Sequence, residues 1–207
     1  MQQSKFPTIS RRNVLKTAGA FSLLTTVGVG TALADKPERK GNNFGNGNGI
    51  GAFLNEKALY KPSPIWADGV VDMTEQDTVE VLSGAITNVE IPIEGFEEME
   101  VAPVAFNPMA IKVTPGTTVT WVWPEYPIPI PHDVVSLDGL FNSGYRYPGG
   151  TASPGGPVLP DFSHIFDEPG NYLYYCTPHG APRKVNGIGG EVYNEFGMRG
   201  AVIVTDE

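Results

Sequence analysis

Hydrophobic and polar positions alternate in short bursts over the C-terminal two-thirds of the chain. Thr78-Val79-Glu80-Val81-Leu82, Ala110-Ile111-Lys112-Val113-Thr114 and Thr118-Val119-Thr120-Trp121-Val122-Trp123 are rich in β-branched and aromatic residues, the composition of half-buried strands. His132 to Ser136, Phe162 to Phe166, Asn171 to Cys176 and Gly200 to Val204 continue the pattern, and Pro115-Gly116 supplies a turn between two of the segments. Beyond residue 34 no apolar period of 3.6 residues is sustained, so helices do not organise this region. The pattern predicts an all-β protein, an antiparallel β-sandwich of seven or eight strands. With 25 Gly and 19 Pro in 207 residues, the composition agrees with a turn-rich β fold.

The N-terminal end has a different character. Ser10-Arg11-Arg12-Asn13-Val14-Leu15-Lys16 precedes a moderately apolar run, Thr17 to Ala34, that closes on Ala32-Leu33-Ala34. A basic region, an apolar stretch and a small-residue cleavage site in that order make a secretory signal over residues 1–34, and the paired arginines point to the twin-arginine route. Three glycines and four threonines leave the apolar run weak for a permanent span. The expected location is therefore extracytoplasmic, at the cell surface or secreted. Residues 35–69 are expected to form a linker, flexible where Gly and Asn alternate from Gly41 to Gly51, and residues 70–207 the folded domain. The alternating glycines lack the preceding strand and the closing Lys-Ser/Thr of a phosphate-binding loop.

Charge changes once the signal is set aside. The signal holds Lys5, Arg11, Arg12 and Lys16 and no acid, so removing four cations from a net charge of −9 leaves −13. So acidic a domain has no footprint for nucleic acid and favours basic partner surfaces.

A single cysteine excludes an intramolecular disulfide, zinc sites built on several thiolates, iron–sulfur clusters held by four cysteines, and CxxC redox chemistry. It leaves a nucleophile, a buried apolar residue, or one ligand of a mixed site. Tyr174-Tyr175-Cys176-Thr177-Pro178-His179 ends a strand and sets a thiol and an imidazole three positions apart on a tight turn. His132 opens a strand 44 residues earlier, and Met198 precedes the last one. Two imidazoles, a thiolate and a weak thioether are the donor set of a blue-copper electron-transfer centre.

Phe106-Asn107-Pro108, Val113-Thr114-Pro115-Gly116-Thr117, His132-Asp133-Val134-Val135 and Phe141-Asn142-Ser143-Gly144 stand in the same order as in a known family. With Tyr175-Cys176-Thr177-Pro178-His179 and Gly197-Met198-Arg199-Gly200, they resemble the plastocyanin-type cupredoxins, most closely the archaeal halocyanins, over roughly residues 70–207. The resemblance implies a Greek-key sandwich, one type 1 copper ion cycling between Cu(I) and Cu(II), and His132, Cys176, His179 and Met198 as its ligands. It further implies a partly exposed His179 edge as the electron route, redox proteins of a membrane electron-transport chain as partners, a monomer, and no enzymatic activity. Three features depart from the family pattern. Eighteen residues, Gly180 to Gly197, separate His179 from Met198, where the family usually has a few. Asp133 stands where it commonly has Asn, and Tyr145 to Pro160 lengthens another connection.

Rival readings stay open at this level. Glu191 or Glu195 in the long segment offers an oxygen ligand in place of Met198. His164, between Phe162 and Phe166, is expected to be a structural histidine, and Met73, Met99 and Met109 packing or surface residues. Glu97, Glu98 and Glu100 are expected to be a solvated acidic face. A cysteine–histidine nucleophile lacks an orienting third residue. Copper storage or delivery uses the same ligands as electron transfer and differs in how readily the metal exchanges.

Overall fold

The computed structural model describes residues 48–61, 66, 69–89, 101–187 and 190–206. The export signal, the linker up to residue 47, Met99 and the Glu97, Glu98 and Glu100 cluster lie outside them. Eleven strands are present among the described residues: β1 Val71–Asp72, β2 Thr78–Asn88, β3 Val101–Asn107, β4 Ala110–Val113, β5 Thr117–Val122, β6 Val135–Ser136, β7 Phe162–Phe166, β8 Gly170–Tyr175, β9 Val185–Gly187, β10 Gly190–Val192 and β11 Arg199–Val204. Two short α-helices, α1 Asn48–Leu54 and α2 Thr177–Gly180, and a single 3-10 turn at Pro148–Gly150 accompany them. Seven strands exceed three residues, which matches the expected number; β1, β6, β9 and β10 are the short additions.

One sheet has the order β1-β4-β11-β8-β6, the other β3-β2-β5-β7, and β9 and β10 form a separate hairpin. The expected sandwich is observed, but its sheets are mixed. β1 with β4, β4 with β11, and β2 with β5 are parallel. For β2 with β5 the reason lies at Pro115-Gly116. Gly116 takes a φ of 90°, open to glycine at no steric cost, and the turn carries the chain from β4 in one sheet to β5 in the other. β4 and β5 therefore do not pair, and β5 meets β2 after a crossover, in the same direction.

Alternation within strands sets what the sheets enclose. In β5, Thr117, Val119 and Trp121 are buried while Thr118, Thr120 and Val122 are half-buried. Trp121 stands between Phe141, Phe162 and Tyr174 at ring-centroid distances of 5.3, 5.6 and 5.4 Å. Val79, Val81, Ile111, Val113, Phe166, Val202 and Val204 complete this core, and Cys176 and Met198 belong to it. Strand β11 shows no alternation: five of its six residues are buried, as in a strand covered on both faces. Its second cover is α1, whose Ile50, Phe53 and Leu54 pack with Ala110, Leu173 and Ala201. Residues 48–54 of the expected linker thus form a helix, because three apolar side chains within five residues find an apolar sheet face. No helix among the described residues is long and apolar enough to cross a membrane.

Candidate metal centre

Cys176 follows the last residue of β8 in extended backbone, and Pro178 sits in the first turn of α2, where its missing N–H costs nothing. The N–H groups of His179 and Gly180 donate to the Cys176 carbonyl at 3.2 and 2.8 Å. This turn folds the His179 imidazole back onto the thiol, so that Cys176 Sγ lies 3.3 Å from His179 Nδ1. His132 comes from the neighbouring connection. Its backbone exchanges two hydrogen bonds of 2.8 Å with Arg146, whose guanidinium lies 4.9 Å over Trp123 and donates to the Pro160 carbonyl. The long Tyr145–Pro160 connection, whose role is not readable in the sequence, therefore anchors His132. His132 Nδ1 stands 3.1 Å from His179 Nδ1 and 3.8 Å from Cys176 Sγ.

Gly84 completes the seat of His132. With a φ of 97°, at a register shift between β2 and β3, it leaves open a position where a Cβ would lie 3.0 Å from His132 Cδ2 and Nε2. Sequence reasoning missed Gly84; a glycine inside a strand pattern marks a bulge or a close approach, and that was the available signal.

The three donors suit one metal ion. A trigonal first-row ion with bonds of about 2.0 Å to nitrogen and about 2.3 Å to sulfur spaces its donors about 3.5 to 3.7 Å apart. Among the described residues, His132, Cys176 and His179 are the His, Cys, Asp and Glu side chains placed closely enough together to hold a metal ion, and all three are buried. Glu191 is not in it; its carboxylate pairs with the Lys184 ammonium at 2.7 Å on the surface. Nor is Glu195. His164 lies apart, half-buried against the rings of Phe141 and Phe166 at 5.0 and 4.9 Å.

Met198 is fully buried, and its backbone is tied to both other ends of the site. Its carbonyl accepts from Cys176 N–H at 3.0 Å, and its N–H donates to the His179 carbonyl at 3.3 Å. The 18 intervening residues return to their start because Asn194 N–H donates to Ala181 O and Phe196 N–H to His179 O. Between these points the excess length forms the β9–β10 hairpin. Lengthening a loop from a few residues to 18 is about two doublings, roughly 1.2 kcal/mol of closure entropy, which two backbone hydrogen bonds suffice to offset.

The same segment overturns one expectation. The His179 edge, expected to be partly exposed, is only 8% exposed. Phe196 stands edge-on to the imidazole at 5.6 Å, and Tyr60 covers Phe196 at 5.2 Å.

Asp133 is 4% exposed, and its carboxylate accepts from Thr177 N–H at 2.6 Å, bracing the turn that carries Cys176 and His179. The acceptor role expected of a carboxylate is thus used on a backbone donor. Burial raises the Asp133 pKa against the hydrogen bonds from Thr177 and Cys176.

Burial also governs the donors. It pulls the His132 pKa down to about 3. It holds His179 well below the ordinary histidine value, with His132 adding to the effect, and raises the Cys176 thiol well above its ordinary value, with the Asp133 charge adding to that. Neutral imidazoles are ready ligands, and binding a metal to this thiol releases its proton. Below pH ~6.5 the unfolded chain takes up histidine protons that the folded chain refuses, so stability falls as pH falls. Above pH ~8.5 the unfolded chain releases a thiol proton that the folded chain keeps, so stability falls as pH rises. Asp133 and Glu195, whose carboxyl pKa values burial raises, act oppositely to the histidines on the acid side, while Glu56, held low by its hydrogen bonds, acts with them. On the basic side Lys61, whose pKa burial lowers to about 8, acts oppositely to the thiol. Denaturant titrations of the metal-free protein at about pH 5 and 7.5 are expected to give the higher midpoint at about pH 7.5. Equal midpoints at the two values would contradict the burial of neutral histidines.

Fold and site together define a class: a β-sandwich with one buried, mononuclear nitrogen–sulfur metal centre at the end of its core. Residues 95–187 match the model of the copper-binding proteins of the plastocyanin/azurin family, a span that contains His132, Cys176 and His179 and stops before Met198. Halocyanin of Natronomonas pharaonis is 36% identical over 135 residues, 65% of this chain and 61% of halocyanin. The chain thus spans about three-fifths of that relative. Amicyanin-alpha of Methylorubrum extorquens is 32% identical over 105 residues, 49% of this chain and 79% of amicyanin-alpha. The purple cupredoxin of Nitrosopumilus maritimus is 22% identical, with a TM-score of 0.33, over 61% of this chain and 99% of that one. The chain belongs to the plastocyanin/azurin family of copper-binding proteins.

Proposed function

We propose that the protein is an exported one-electron carrier whose type 1 copper ion would be held by His132, Cys176 and His179, with Met198 as a further, weak ligand. The observation that carries this reading is the buried triangle of two imidazole nitrogens and one sulfur with sides of 3.1, 3.3 and 3.8 Å. Copper in such a donor set supplies reversible Cu(I)/Cu(II) chemistry, since thiolate and thioether suit Cu(I) and imidazole both states. The chain contributes a fixed seat. Gly84 and Arg146 hold His132, Asp133 holds the Cys176–His179 turn, and the core walls exclude water, so the donors are arranged before the metal arrives. The reading includes no substrate chemistry of the protein's own.

The twin-arginine signal supports an extracytoplasmic location, and a net charge of −13 without the signal supports basic docking surfaces on redox partners of a membrane electron-transport chain. Protein loaded with Cu(II) is expected to show an intense visible thiolate-to-copper band and to be reduced and reoxidised reversibly. A colourless complex would reject the reading, and copper that exchanges freely in both oxidation states would mark a delivery protein instead. Met198→Gln is expected to shift the reduction potential and the electron paramagnetic resonance pattern while the visible band survives. Identical values would reject Met198 as a ligand.

A further inference from the structure

The residue after Met198 is a fully buried arginine, and what it binds joins three parts of the chain. Arg199 Nε donates to the Gly180 carbonyl at 2.8 Å and its terminal nitrogens reach the Ala181 carbonyl and the Phe53 carbonyl. It also makes an ion pair with the Glu56 carboxylate, and its guanidinium lies 4.7 Å over the Phe53 ring. Gly180 and Ala181 directly follow His179; Phe53 and Glu56 belong to the segment that precedes the sandwich. One guanidinium therefore ties the His179 end of the inserted loop, the Met198 end and the N-terminal segment to each other.

The far side of the loop is fastened to the same segment. Tyr193 donates its hydroxyl to the other Glu56 oxygen at 2.6 Å, and Asn194 Nδ2 donates to the Glu56 and Lys57 carbonyls. Leu59 and Tyr60 N–H donate to the carbonyls of Asn194 and Glu195 at 3.1 and 2.7 Å. Burial pushes the Glu56 carboxyl up, but the hydrogen bonds from Tyr193 and Arg199 outweigh it and hold the group below its ordinary value. The result of this fastening is the stack in which Tyr60 covers Phe196 and Phe196 covers His179.

We propose that Arg199 and Glu56 form a latch that closes residues 48–61 and the inserted loop over the ligand turn, making the N-terminal segment a wall of the copper centre that governs copper retention and the exposure of His179. Arg199 is a positioning residue here: it touches the backbone beside His179 and Met198, not the metal. The proposal rests on the copper reading of the site.

Glu56→Gln tests it in the full chain, because it nearly preserves size, removes the charge that pairs with Arg199 and turns one of the two accepting carboxylate oxygens into a donor. Amide hydrogen exchange of residues 50–60 and 190–197 in the metal-free variant is expected to quicken by roughly tenfold, the effect of weakening one charge-assisted hydrogen bond. The copper-loaded variant is expected to lose metal to a chelator roughly tenfold faster, with a shifted visible band and reduction potential. Arg199→Lys, which keeps the charge but not the planar fork, should move the same readouts in the same direction. Unchanged exchange in the metal-free Glu56→Gln protein would overturn the latch. Faster exchange with native copper loss, band and potential would overturn the claim that the latch serves the centre. A native protein that takes up no copper would sink the reading of the site and the proposal with it, and is told apart from both by the native control.

Discussion

Cys176→Ser is expected to abolish the visible band of the copper-loaded protein and to remove tight Cu(I) binding. Cys176 is fully buried at the meeting point of two imidazole nitrogens, and it is the single sulfur in the chain able to become a thiolate. The band needs charge transfer from thiolate to copper, and a serine oxygen is a hard donor that suits neither that transition nor Cu(I). The fold should survive, since the substitution keeps the volume nearly constant; burying a hydroxyl in place of a thiol costs about 1 to 3 kcal/mol at most. Near-native circular dichroism with no band is therefore the expected pair of results. His164→Gln is the matched control, because that ring lies against Phe141 and Phe166 and outside the donor group. It should leave the band nearly unchanged. A serine variant that stays coloured, or a glutamine variant that loses its colour, would overturn the ligand assignment.

Gly180→Ala is expected to destabilise the metal-free protein and to perturb the centre at once. A Cβ at Gly180 would lie 2.2 Å from the Met198 carbonyl oxygen and 2.7 Å from its carbonyl carbon. Those atoms belong to backbone that also accepts from Cys176 N–H, so they cannot swing aside as a side chain does. Relief requires the turn holding His179 to separate from the strand entry holding Met198. Overpacking of this kind costs about 3 kcal/mol, which for a domain of this size lowers Tm by about 6 to 12 °C. Because the displaced atoms carry Met198 and His179, the electron paramagnetic resonance pattern of the loaded variant should change as well. A Tm close to the native value would show that the two backbones have room to part.

How much of this was written in the sequence differs from element to element. Strand β5 was legible because one face meets the core and the other does not, which stamps a period of two on Thr117 to Val122. β3 escaped notice. Its residues Ala102 to Phe106 are all buried, so no alternation marks them. Helix α1 escaped for the opposite reason: its glycines and asparagine resemble a linker, and only the sheet face under Ile50, Phe53 and Leu54 stabilises the turns. The mixed direction of the sheets was illegible too, since a Pro-Gly turn specifies a reversal of the chain and not which sheet receives the next strand.

At the site, sequence alone determined the chemical types. One thiol, two imidazoles and a thioether at strand ends leave a short list of metals, and a lone cysteine rules out the alternatives that need several thiolates. Local spacing also decided that Cys176 and His179 share a turn, because the turn is built by the residues between them. Sequence could not decide that Met198 returns to that turn after 18 residues, that Gly84 seats His132, or that His179 is covered. Each of these depends on contacts between parts of the chain far apart in sequence: a loop closed by backbone hydrogen bonds, a bulge facing a ring, and an N-terminal segment fastened to Arg199. Donor chemistry is a property of residues, whereas distance and exposure are properties of packing, and only the folded chain fixes them.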